Sequence, residues 1–199
     1  SISNFIRFID LFESGPADPK KPPFELKSRI FINDSKVSII NQNSEGDAGK
    51  WLQATHLNLI VPELRVKGSD VFAQINNLRF VTERWGKKHN VDTFSGDLSL
   101  TKHYLSLKDL TLNTDHSLLQ GDIKFNLYKE SWSDFADRVA WDLKLKQGSQ
   151  VSGYDISYFV TDWDNYKPVN ISGEMTGPLN KFYLGNFLIR NPDVNIQTG

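Results

Sequence analysis

Four histidines, His56, His89, His103 and His116, are the first residues to test for chemistry. A metal site needs ligands recurring at short, regular spacing. None of the four has a second His at i+2 to i+4, or an acid placed as a co-ligand. They are therefore expected in turns or on polar faces, with no metal. The best carboxylate pair is Asp162 and Asp164, flanking Trp163. Glycoside hydrolysis needs two carboxyls held across a sugar. Two acids beside one Trp at a helix end read more simply as a polar cap. There is no G-x-S-x-G, P-loop or G-x-G-x-x-G. Cysteine is absent, which excludes disulfides and thiolate metal sites. Phe182, Tyr183 and Phe187 lack a basic groove beside them, so they read as packing residues and not as base-stacking ones. A net charge of −1 gives no footprint for nucleic acid. The expectation is a protein that is not an enzyme, with no catalytic residue and no cofactor.

What the chain does carry is regular apolar spacing. Leu105, Leu107, Leu110 and Leu112 read L-x-L-x-x-L-x-L. Ala73, Ile75, Leu78 and Phe80 fall on the same template, as do Phe182, Leu184, Phe187 and Ile189. Upstream, Leu64, Val66 and Gly68 align without gaps with Gly96, Leu98 and Leu100, and with Gly173, Met175 and Gly177. One supersecondary unit recurs: two alternating strands joined by a short turn. Alternation gives a strand one apolar and one polar face. The x-x step slips that alternation by one residue, and a β-bulge absorbs such a slip while bending the strand. Repeated bulged strands predict a curved sheet with an apolar concave face.

The elements around the repeat follow from the same reading. Ile2, Phe5, Ile6, Ile9 and Phe12 form a helical stripe, so residues 1–14 are expected to be an amphipathic helix. Residues 15–23 read as a Pro-rich linker, and 24–199 as a repetitive β-groove segment of a longer chain. Leu26 to Ile32 alternate, with a turn expected at Asn33-Asp34 before Val37 and Ile39 resume. Strands are expected over 51–61, 63–67, 70–82, 91–101, 103–113 and 117–128. Turns are expected at Pro62, Gly68-Ser69, Trp85-Gly86 and Asp115-His116. A helical turn is expected at 131–135, and a helix from Ile156 to Trp163 capped by Asp155. No apolar run of roughly 18 residues occurs, so no transmembrane helix is expected.

Residues 105–128, LSLKDLTLNTDHSLLQGDIKFNLY, resemble the repeats of the AsmA-like and TamB-like proteins of diderm bacteria. Thr114, Ser117, Leu119, Gly121 and Tyr128 occupy the places of that pattern, and VNISGEMTGPLNKFYLGNFLI from Val169 is similar to a second recurring segment. The segment 129–139 departs from it. The resemblance implies a mostly β fold: an elongated, curved antiparallel sheet forming a U-shaped, taco-like groove with an apolar interior, plus short helices. It implies a periplasmic protein anchored in the inner membrane, whose groove carries phospholipid acyl chains between inner and outer membrane, supports outer-membrane protein assembly, or both. Its implied partners are those acyl chains, an outer-membrane β-barrel assembly-type protein and the remainder of the same long chain.

The candidate lining is Leu57, Leu59, Leu64 and Val66; Ala73, Ile75, Leu78 and Phe80; and Leu98. It continues through Leu105, Leu107, Leu110 and Leu112, then Leu119, Ile123 and Phe125. It ends with Val139, Trp141, Leu143 and Leu145, then Val169, Ile171 and Met175, then Phe182, Leu184, Phe187 and Ile189. The repeat alone fits a second architecture equally well: a closed β-solenoid or sandwich acting as a structural or adhesive module. A carbohydrate-active β-helix is a third. The first two differ in whether the apolar stripe faces open space or packs on itself.

Overall fold

The computed structural model describes residues 24–40, 50–84, 87–127, 139–159, 167–178, 180–193 and 195–199. Its strands are β1 (Glu25–Ile40), β2 (Lys50–Lys67), β3 (Asp70–Arg84), β4 (Lys87–Leu100), β5 (Tyr104–Thr114) and β6 (Leu118–Asn126). They continue with β7 (Ala140–Leu145), β8 (Gln150–Ser152), β9 (Pro168–Gly177), β10 (Tyr183–Arg190) and β11 (Asn195–Gln197). Among the described residues one helix, α1 (Gly153–Phe159), follows β8 directly. All eleven strands join a single antiparallel sheet in near-sequential order from β1 to β11. The mostly β, antiparallel class expected from the alternation is what forms.

β7 and β8 share one place in the sheet, end to end between β6 and β9. The gap is a tight loop whose Gly148 has φ 90°. Inside it, Gln120 N–H donates to Ser149 Oγ at 3.1 Å, Lys146 N–H donates to Gln120 O at 2.8 Å, and Ile171 N–H donates to Ser149 O at 3.0 Å. The looped-out strand thus leaves these neighbouring backbone groups paired.

The x-x steps of the repeat are bulges, as the slip requires. The register shifts lie between Ile75 and Leu78 in β3, Leu107 and Leu110 in β5, and Gly185 and Leu188 in β10. Asp109 and Asn186, inside two of these steps, have φ of 49° and 46°. Each repeat copy is a hairpin: β2–β3, β4–β5 and β9–β10.

Several boundaries differ from expectation. Asn33-Asp34 is no turn; β1 runs through it, with Asp34 at φ 40° in a bulge opposite β2. The Asp34 N–H donates to Asn58 Oδ1 at 3.2 Å, so a neighbouring side chain satisfies the displaced group. Pro62 does not break β2 either. It falls in the step where β2 carries an extra residue against β1, between the pairs Ser28–Leu64 and Ile30–Val61, where a missing N–H is tolerated. The helix begins at Gly153, before Ile156, and its cap is Ser152: Tyr154 N–H donates to Ser152 Oγ at 3.2 Å. The sequence S-x-x-D places Asp155 at the third helical position, free to point elsewhere. The expected helix 1–14, the linker 15–23, the turn Trp85-Gly86, the helical turn 131–135 and the acids Asp162 and Asp164 lie outside the described residues.

Candidate functional site

The ladder register lines apolar residues up across the sheet. Leu64, Ala73, Leu98, Leu107, Ile123, Leu143, Met175 and Leu184 are each directly opposite the next. Opposed residues of a ladder point to the same face. At about 4.8 Å per strand, this row spans roughly 34 Å. A second row runs Leu26, Val66, Val71, Leu100, Leu105, Phe125 and Trp141. A third runs Ile32, Leu59, Leu78, Phe94, Leu112 and Leu119. Between the first and third, large residues alternate with glycine: Leu110 opposes Gly121, Gly121 opposes Leu145, and Leu145 opposes Gly173. Ile189 pairs Ile171 and Ile196, and Val151 pairs Val169.

The other face carries polar and charged residues. Lys27, Arg65, Phe72, Ser99, Ser106, Lys124, Asp142 and Thr176 form one of its rows. Arg65 lies 4.7 Å above the Phe72 ring, and Lys124 lies 4.8 Å from that of Tyr104. Lys144 reaches Glu174 at 3.8 Å, but both side chains are exposed and such a pair stabilises little.

Of the 27 candidate lining residues, 22 are half-buried. Leu57, Leu110, Val139 and Phe187 are buried, and Phe182 stands exposed in the turn before β10. Half-burial is what flanking strands alone provide. Among the described residues no second sheet covers this face, and β1 and β11 do not pair to close it.

The sequence missed a buried polar cluster at the end of the sheet bearing α1. Asp155 Oδ2 accepts a 2.6 Å hydrogen bond from Thr114 Oγ1. Asp155 Oδ1 lies 3.2 Å from His89 Nδ1, both side chains being about nine-tenths buried. Thr114 Oγ1 accepts from Ser117 N–H at 2.8 Å, and Ser117 Oγ accepts from Ser152 N–H at 2.8 Å. His116 packs against Tyr154 with ring centroids 4.3 Å apart and the rings tilted by 53°. Burial pushes the Asp155 carboxyl up, but the contacts from His89, Ser117 and Thr114 and the charge of His89 more than offset it. The carboxyl is held below its ordinary 3.8. His89 is therefore neither in a turn nor on a polar face. It sits in β4 opposite Thr82, on the side that carries Phe80 and Val91, because this end of the face is roofed by α1. His103 and His116 do fall in turns, and His56 is exposed in a bulge of β2, 2.9 Å from Asp34. A capping pattern, Ser152-x-x-Asp155, was visible in the sequence; nothing there linked Asp155 to His89.

Among the described residues, no group of three or more His, Cys, Asp or Glu is placed to hold a metal ion, and no helix is long and apolar enough to cross a membrane. No protein-family model, no curated protein and no solved structure matches this chain.

Proposed function

We propose that the apolar face binds phospholipid acyl chains. On this reading the chain is part of a longer periplasmic protein, anchored in the inner membrane, that carries lipid toward the outer membrane beside a β-barrel assembly-type partner. What carries the reading is the row from Leu64 to Leu184: apolar across eight strands, half-buried, and not covered by a second layer among the described residues.

The physics favours such a use. Exposing an acyl chain to water costs about 0.8 kcal/mol per CH₂. A chain of about sixteen carbons then costs on the order of 10 kcal/mol, which makes unaided passage through water slow. A bilayer leaflet is about 15 Å of hydrocarbon, so a row of roughly 34 Å holds more than one acyl length. Headgroups stay in water while tails lie on the row. The task needs many interchangeable Leu, Ile, Val and Phe side chains and no converging acid, base or nucleophile.

Half-burial also weighs against the closed structural module, whose apolar stripe would pack on itself and leave water entirely. Mass spectrometry of lipids that co-purify with the chain is the test. Bound phospholipid, lost when Leu107 and Ile123 are both replaced by Gln, is the expected result. A lipid-free protein that also fails to take up added phospholipid would overturn the proposal.

A further inference from the structure

The described part of helix α1, Gly153–Phe159, is too short to be stable alone in water. Polar ties and one ring contact hold its first turn. Thr114 and His89 hold Asp155, Ser117 holds the Ser152 N–H at the cap, and His116 packs on Tyr154. His89 and Thr114 stand on the apolar side of β4 and β5: Thr114 opposes Val91, and His89 opposes Thr82, two residues beyond Phe80. The first turn of the helix therefore sits against the apolar face at its end. Burial changes there: Val91, the partner of Thr114, is buried, whereas Phe94 and Leu112, one step further from the helix, are half-buried.

A buried carboxylate is tolerated only while its partners are in place. Losing one partner leaves a desolvated charge, and moving the helix into water relieves it. We propose that α1 is a displaceable plug closing one end of the apolar face, with Asp155 as the latch that keeps it shut. The proposal rests on the acyl-chain reading only for what the plug excludes.

The experiment is hydrogen exchange on the whole chain, with binding of the apolar dye anilinonaphthalene sulfonate read in parallel. In Asp155→Asn the amides of 153–159 should exchange about tenfold faster or more while those of β4, β5 and β6 keep their protection, and dye binding should rise. Unchanged α1 exchange, or unchanged dye binding, overturns the plug. Equal loss of protection across β4, β5 and β6 would make Asp155 a core residue of the sheet. Should Asp155→Asn not fold, Thr114→Val decides by the same criteria, since it removes the Thr114 bond to Asp155 and keeps the Asp155–His89 contact; its further loss, the Ser117 and His116 N–H bonds, lies in the β5–β6 turn. A fluorescent fatty acid that binds neither protein would sink the acyl-chain reading alone, because exchange and dye still judge the plug.

Discussion

Gly121 lies directly opposite Leu110 across the β5–β6 ladder, and a Cβ at Gly121 would come within 2.0 Å of the Lys144 carbonyl oxygen of β7. Leu110, in turn, is only 2% exposed. The bulge in β5 and the glycine in β6 form one device: the extra residue swings Leu110 inward, and the missing side chain lets the neighbouring backbone approach. Gly173 repeats it, since a Cβ there would meet Asn186 O at 2.4 Å, beside the bulge of β10.

Gly121→Ala should therefore destabilise by about 2 kcal/mol or more, because both backbone conformation and space are wrong for a methyl group. Gly148→Ala is the control. Its φ is +90°, but a Cβ there meets nothing within 4 Å, so only the conformational cost of about 1 kcal/mol applies. Urea denaturation of the two variants separates the terms. Equal losses would show that close approach of β7 contributes nothing.

Two leucines of the same repeat should respond unequally to charge. Leu107 is half-buried between Leu98 and Ile123, so an ion there keeps contact with water. Leu107→Asp should lower stability by no more than about 1–2 kcal/mol and abolish lipid binding. Leu110→Arg buries an unpaired charge and should cost about 3–5 kcal/mol, enough to unfold much of the protein. Thermal melts with lipid analysis check both. If Leu107→Asp unfolds as severely as Leu110→Arg, the apolar face is a closed core and the structural module is the better reading.

The latch at α1 should fail in acid. Asp155 has a folded-state pKa below its ordinary 3.8, so its stabilisation is fully present above about 3.8 and is lost as pH falls through the depressed value. The titratable group facing it is His89 from β4; β5 and the β5–β6 turn contribute the hydroxyls of Thr114 and Ser117, with His116 alongside on Tyr154. Exchange protection of residues 153–159 should hold from pH 7 to about 4 and drop below that, and Asp155→Asn should remove this acid step. A step of equal size in that variant would assign the loss to another carboxylate.

Period-two alternation and the x-x slip were enough to place the β hairpins, the bulges and the shared apolar face, because each is a local consequence of where one strand puts its side chains. Asp34 and Pro62 misled because turn-forming types also serve bulges, and only the neighbouring strand decides which. Asn58, whose side chain receives the Asp34 N–H, is 24 residues away. The Asp155 cluster was invisible for the same reason carried further. His89, Thr114 and Asp155 sit on β4, β5 and α1, and each alone reads as a strand or cap residue. Their meeting depends on β8 being displaced past Ser149 so that α1 starts beside the β5–β6 turn.

If apolar lining carries the function, effects should accumulate along a row and be absent at isolated polar residues. His56→Ala and His103→Ala should leave lipid binding unchanged, since both side chains are exposed and belong to no row. Alanine at Asp162 or Asp164 is likewise expected to leave it unchanged. His89→Ala is different: it should loosen α1 through the lost contact with Asp155 while leaving the face able to bind. Leu105→Ile should be nearly silent, because volume and polarity are kept. Replacing Leu98, Leu107 and Ile123 by Gln one after another should weaken acyl binding stepwise, by roughly tenfold each, as about 1.5 kcal/mol of apolar contact is lost per residue. Fatty-acid titrations of the series give the comparison. A single alanine at a histidine or at Asp162 or Asp164 that abolished activity with fold and lipid load intact would replace transport with catalysis as the function of this chain.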